Sequence, residues 1–219
     1  MKFGILDNSK IFFSPFGYDL SYIEFFGTFF YFASVILIAR KNIFTWPLGI
    51  ISVILYALLF YQVQLYADMF EQIYYLIVCV YGWLFWNKTK KESNEGFKLS
   101  NFSIWIIEIV VIAVLTLILY FLICNLHLWY PSVFLHFASY PFLDSMTTTI
   151  SFTAMYLLTI KKAEGWIYWI IVDLIGTFLY WQKDLKFISM QYCILTVMAS
   201  YGLIFWLKNN FVKVNKLNN

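Results

Sequence analysis

One apolar passage occurs twice in this chain, and that repetition constrains the fold more than any other feature. Residues 46–86, WPLGIISVILYALLFYQVQLYADMFEQIYYLIVCVYGWLFW, fall on residues 166–206, WIYWIIVDLIGTFLYWQKDLKFISMQYCILTVMASYGLIFW, at an ungapped offset of 120. Trp46 meets Trp166, Gln62 meets Gln182, Leu65 meets Leu185, Tyr81-Gly82 meets Tyr201-Gly202, and Phe85-Trp86 meets Phe205-Trp206. Upstream, Glu24, Thr28 and Phe32 meet Asp144, Thr148 and Phe152. One register that aligns apolar segments, polar breaks and both endings together is the mark of an internal duplication. In an apolar chain, two like halves flanking a midplane site are how transporters are organised.

Composition places the duplication in a bilayer. Of 219 residues, 62% are hydrophobic, 23% aromatic and 12% charged, which is more apolar surface than a soluble domain of this length can bury. The net charge is +3, with Lys and Arg confined to loops and tails. No basic stripe with interleaved aromatics exists to hold nucleic acid. Cys79, Cys124 and Cys193 lie in apolar segments without CxxC or Cys/His spacing and read as small buried hydrophobes, so no metal site or cofactor is expected. The first 17 residues mix Lys2, Asp7, Asn8 and Lys10 with Pro15 and Gly17 and lack the continuous apolar core of a cleavable signal. There, Ile5, Ile11, Phe12, Phe13 and Phe16 are expected at the membrane interface. An enzyme is the first reading from another class, but the chain has no GxSxG or HExxH, and both histidines, His127 and His136, fall in one loop. A structural or receptor subunit, its acids paired in helix packing, is the second.

A spanning helix needs about 20 mostly apolar residues. Seven segments qualify: residues 21–39, 46–61, 65–86, 102–124, 142–160, 166–181 and 187–206. The predicted order is an interfacial segment 1–20, a first three-helix repeat 21–86, a polar linker 87–101 and a linker helix 102–125. A loop 126–141 with Trp129, Tyr130 and Pro131, a second repeat 142–207 and a basic tail 208–219 follow. On alternate sides, the two short loops after the first and fifth segments, the polar linker and the tail carry 11 Lys and Arg, against 4 on the other side. The positive-inside rule then puts the C-terminus in the cytoplasm and the N-terminus outside. Both repeats begin on the same side and are therefore parallel. Three crossings leave the chain on the wrong side for a second parallel unit, so the unmatched fourth helix supplies the missing crossing.

Ionisable groups inside such helices are costly and are site hypotheses by default. In the third segment Asp68, Glu71, Gln72 and Tyr75 recur at spacings of three and four, which sets them on one helical face. The sixth holds Asp173 near mid-span and Tyr180 two turns along on nearly the same face; the seventh holds Gln191, the repeat partner of Glu71, and Tyr192. Equivalent faces turned to one axis gather Glu71, Gln72, Asp173, Gln191 and Tyr192 around a polar cavity. In the fifth segment Asp144 precedes Thr147, Thr148, Thr149 and Ser151. Those hydroxyls either reach the cavity or bond back to their own helix. Asp68 and Asp144 sit near helix ends, where capping and headgroup contact are open alternatives, and Glu24 and Glu108 read as interfacial. Asp173, with no basic residue within two turns, is read as facing the cavity. Most aromatics belong to lipid-facing or belt positions; Trp169, Tyr75 and Tyr192 are placed to stack on a ligand.

The same residues carry a family resemblance. WPLGIISVILYALLFYQVQLYADM with YGWLFW resembles the first-half signature of the PnuC family of bacterial vitamin transporters. The second half is similar through Asp144 with Thr147-Thr148, Lys161-Lys162-Ala163-Glu164 before Trp166, Asp173, and Tyr201-Gly202 with Trp206. The resemblance covers residues 20–208 and implies two three-helix bundles joined by an inversion linker helix, a full-length relative of the SWEET sugar transporters. It implies uptake of nicotinamide riboside across the bacterial inner membrane by facilitated diffusion, trapping by a cytoplasmic kinase, and assembly as a homotrimer. Thiamine, or another vitamin or nucleoside, is the alternative substrate; thiamine is also cationic, with Glu71 as its counter-charge. Gln72, Asp173, Gln191 and Tyr192 would bond the ribose hydroxyls and carboxamide of the riboside, and Trp169 or Tyr75 would face its ring.

Overall fold

The structure is a computed structural model describing residues 4–14, 17–63, 66–89, 99–130, 140–182 and 186–217. Seven helices dominate it: α1 (Tyr22–Ala39), α2 (Thr45–Gln62), α3 (Tyr66–Lys88), α4 (Phe102–Trp129), α5 (Pro141–Thr159), α6 (Glu164–Gln182) and α7 (Lys186–Leu217). Residues 64–65, 90–98, 131–139 and 183–185, with Phe16, Pro131 and His136, lie outside the described residues.

Helix ends follow local chemistry. The Ser21 hydroxyl accepts the Glu24 N–H at 3.3 Å and caps α1. The proline of WPLG occupies the first turn of α2, and Pro141 opens α5, where a missing N–H costs nothing. At the far end of α1, Lys41 turns left-handed (φ 59°), with Asn42 N bonded to Leu37 O and Lys41 N to Ile38 O. At the end of α5, Lys161 does the same (φ 64°), with Lys162 N on Leu157 O and Lys161 N on Leu158 O. Both are Schellman endings with lysine where glycine is usual.

The structure bears on four expectations. Of the seven helices, five are long and apolar enough to cross a membrane by themselves: α1, α2, α3, α4 and α7. The two that fall short, α5 and α6, carry Asp144, the threonines and Asp173, and each buries eight residues against its neighbours. Helices enclosed by other helices need less apolar surface. The linker helix runs to Trp129, past the residue 125 expected for its end, so part of the expected loop is helical. Residues 208–217, expected as a tail, continue α7. The N-terminal segment forms a one-turn 3-10 helix (Gly4–Leu6) and an antiparallel ribbon of β1 (Ile11–Phe13) with β2 (Leu20–Ser21). Ile5, Ile11, Phe12 and Phe13 are exposed there, and the Gln62 amide fastens this segment to α2 by accepting Asn8 N at 2.8 Å and donating to Leu6 O. Tyr18 donates to Glu24 at 2.6 Å, and burial followed by that carboxylate pushes its phenol above the ordinary value.

Packing runs α1 on α2 on α3 and α5 on α6 on α7, while α3 meets α5 and α1 meets α7. These pairs close a cycle of six helices, with α4 laid on α5. Within each set of three, hydroxyl-to-carbonyl bonds tie neighbours: Ser52 to Gly27 O at 2.9 Å, and Ser189 to Thr177 O at 2.8 Å. The contacts of α1 with α7 and of α3 with α5 are far smaller than those inside each set.

The main buried cluster sits at the end holding the α1–α2 and α5–α6 turns. It is built on Trp46, Trp86, Trp166 and Trp206 with Ile38, Ala39, Cys79, Leu158, Ala163 and Ala199. Trp46 lies edge-on to Trp86 with centroids 5.4 Å apart, and Trp166 edge-on to Trp206 at 5.7 Å. A Cβ on Gly82 would stand 2.6 Å from the Trp46 ring, and one on Gly202 would stand 2.7 Å from the Trp166 ring. Only glycine admits the indole at either place.

Candidate functional site

Nearer the opposite end, the lining of the cycle turns from indole to phenol and carboxylate. Tyr75 on α3 precedes Trp86 by 11 residues, so the two layers are about 16 Å apart along the helix. α3 and α5 join there through Thr148, whose hydroxyl donates to Glu71 at 2.9 Å, and through Tyr74, which donates to Phe152 O at 2.7 Å and stacks on the Phe152 ring. Tyr75 lies beside them, edge-on to Phe152 and hydrogen-bonded with Ser151. From α6 and α7, Tyr180 and Tyr192 stack with centroids 5.3 Å apart. The Tyr192 ring fills the space over Gly176, where a Cβ would come within 2.6 Å.

Asp173 anchors the centre. It is 2% exposed, and among the described residues no hydrogen-bond donor or cation reaches its carboxylate. Its electrostatic neighbours are phenols: Tyr31 of α1 and Tyr192 of α7. Tyr31 in turn faces Tyr75 and Tyr56, and Tyr192 faces Glu71. Glu71 also interacts with Asp68 and Asp144, so three carboxylates gather around the N-terminal ends of α3 and α5. A carboxyl group held away from water without a partner is costly to ionise, and Asp173 is the most isolated acid of this layer.

Of the nine expected site residues, six are brought together: Glu71, Tyr75, Thr148, Asp173, Tyr180 and Tyr192. Gln72 bonds back to Asp68 O at 3.4 Å within its own helix, Gln191 is half-buried on α7, and Trp169 packs against both hydrophobic clusters. Thr147 and Thr149 bond back to their own helix, and Thr149 also meets Thr116 of α4 at 2.7 Å. Glu108 accepts from Tyr168 at 3.0 Å, which ties α4 to α6. Tyr31 joins the site without having been singled out, and Ser151, one of the hydroxyls left open between cavity and own helix, bonds Tyr75. The duplication held the signal, since position 31 is the counterpart of 151.

A cycle of mostly apolar helices around buried acids and phenols defines a membrane carrier for a small polar solute. The family model described as nicotinamide mononucleotide transporter matches residues 21–208, and the chain belongs to this family, that of the PnuC vitamin transporters. It is 29% identical over 210 residues to the nicotinamide riboside transporter PnuC of Escherichia coli (strain K12), covering 88% of each chain. It is 25% identical over 173 residues to the riboflavin/roseoflavin transporter RibM of Streptomyces davaonensis, covering 76% of each. A crystal structure of the vitamin B3 transporter PnuC shares its fold with a TM-score of 0.64 at 23% identity, over 85% of this chain and 81% of that one.

Proposed function

We propose that the chain carries nicotinamide riboside into the cell by facilitated diffusion, through a site between α1–α3 and α5–α7. The observation that carries this reading is Asp173, buried without a cation or donor among the described residues and ringed by phenols. A pyridinium ring supplies the missing charge and gains about 0.5 to 2 kcal/mol over an aromatic face. The substrates named for the family and the relatives differ, and charge separates the mononucleotide from the riboside. No Lys or Arg occurs between Lys41 and Lys88, between Lys98 and Lys161, or between Lys186 and Lys208. A phosphorylated mononucleotide would meet carboxylates and no counter-charge, whereas the riboside is a cation without phosphate. Thiamine is the second reading, favoured by Glu71 as a further carboxylate near the phenols.

All seven helices are proposed to cross the inner membrane as two parallel three-helix repeats joined by α4, with the N-terminus outside and the C-terminus in the cytoplasm. The cycle of helix contacts and the twin lysine endings of α1 and α5 support this plan. Assembly as a homotrimer and trapping by a cytoplasmic kinase rest on the family alone. The reading is that of a transporter rather than an enzyme.

Purified protein in liposomes tests the assignment. Radiolabelled nicotinamide riboside should enter until inside and outside concentrations are equal, with thiamine competing weakly. No entry of the riboside would refute the substrate, and accumulation above equality under a proton or sodium gradient would refute facilitated diffusion. Strong alkaline phosphatase activity from a fusion after Lys208 would refute the orientation.

A further inference from the structure

The tryptophan end of the molecule carries hydrogen bonds that cross between the two sets of helices. Trp86 of α3 donates its indole N–H to Thr159 O at the end of α5, at 2.8 Å. Trp206 of α7 donates to Ala39 O and Ile38 O at the end of α1, at 3.0 and 3.1 Å. Thr159 and Ala39 are themselves 120 positions apart, as are the two tryptophans. Each accepting carbonyl lies just before a left-handed lysine, and those lysines lean back over the donors. Lys161 Nζ is 5.8 Å from the Trp86 ring centroid, and Lys41 Nζ is 5.9 Å from that of Trp206. The Trp86 and Trp206 ring centroids stand 6.4 Å apart.

We propose that these four tryptophans form the gate at the end of the path that holds the α1–α2 and α5–α6 turns, closed by two equivalent latches, Trp86 on Thr159 and Trp206 on Ala39. Three observations separate a gate from static packing. The interfaces the latches span, α3 with α5 and α1 with α7, are the small ones of the cycle, so parting there disrupts least apolar contact. The remaining two tryptophans, Trp46 and Trp166, are buried with indole N–H groups that find no acceptor among the described residues. A buried orphan donor is a standing cost of the closed state that water entry relieves. The left-handed turns at Lys41 and Lys161 add local backbone cost at the two places where the ends would pivot. Opening frees the carbonyls of 39 and 159, hydrates Trp46 and Trp166, and swings the lysines away from the rings.

The proposal rests on the reading that a solute passes between the two sets of helices, but its test needs no substrate, so a wrong vitamin leaves it standing. Protein labelled with 5-fluorotryptophan and reconstituted in nanodiscs gives fluorine NMR signals assignable by single Trp→Phe variants, and the solvent isotope shift in heavy water reports hydration. The parent should show a minor hydrated form of Trp46 and Trp166 exchanging with the buried one. Trp86→Phe and Trp206→Phe keep a ring but lose the donor. Each should raise the hydrated population about fivefold, the change expected from losing one net hydrogen bond, and the double variant about 25-fold. Should a variant not fold, Lys41→Gln and Lys161→Gln read the same populations with a smaller rise. Dry, non-exchanging signals in the parent, or hydrated populations unchanged in folded variants, would overturn the gate and leave the cluster as packing.

Discussion

The two layers of this molecule use the duplication in opposite ways. At the tryptophan end, positions 120 apart do the same work: Trp46 and Trp166 on Gly82 and Gly202, Trp86 and Trp206 on opposite carbonyls, Lys41 and Lys161 over the rings. In the polar layer, counterparts differ. Asp173 answers to Val53, Glu71 to Gln191, Tyr192 to Gln72, Tyr75 to Leu195 and Ser151 to Tyr31. Moving parts benefit from being alike, because two equal latches share a load and part together. A small solute has no twofold axis, and a site that matches it must depart from the symmetry that built it.

Truncating the tryptophans gives the largest expected effect. Trp86→Ala and Trp206→Ala should each cost about 3 to 5 kcal/mol, read as lowered thermal stability of the purified protein, and the two losses should agree within about 1 kcal/mol. A much larger gap would break the claimed equivalence. Gly82→Ala and Gly202→Ala force a methyl to within 2.6 and 2.7 Å of an indole and should each cost about 1 to 3 kcal/mol through overpacking. Gly176→Ala makes a similar clash in the other layer, against Tyr192, and sharpens the contrast. There, displacing the phenol should weaken nicotinamide riboside binding about tenfold, near 1.4 kcal/mol, whereas the alanines at 82 and 202 leave the dissociation constant within about twofold. The smallest effects belong to the lysines. Lys41→Gln should cost about 0.5 to 1 kcal/mol, and Lys161→Gln somewhat more, since Lys161 also donates to Thr89 at 2.6 Å.

The helices and the repeat were legible because a long apolar run and an ungapped register survive in any fold. The face bearing Glu71 and Tyr75 was legible for the same reason, as a local spacing. Closure of the cycle was not: in a chain apolar on nearly every face, periodicity does not say whether α1 turns toward α7 or toward lipid. Tyr31 was hidden as one of 17 tyrosines, since a phenol becomes distinctive only beside Asp173. The continuation of α7 to Leu217 was missed because hydropathy ends at Trp206 while backbone hydrogen bonding goes on. Trp169, expected to stack on ligand, packs between both clusters, and its spacing from Trp166 fits either role.

The central claim is that Asp173 is kept buried and without a described partner to receive a cationic solute, and one measurement bears on it most directly. Binding calorimetry on purified parent and Asp173→Asn, with nicotinamide riboside as titrant and thermal unfolding alongside, reads affinity and stability together. Losing the charged partner of a buried cation costs about 2 kcal/mol or more, so affinity should fall at least tenfold while the melting temperature holds or rises, because a buried acid without a described partner has been replaced by a neutral amide of the same shape. Unchanged affinity in a folded Asp173→Asn protein, above all with a lowered melting temperature, would contradict the account and make Asp173 a packing residue.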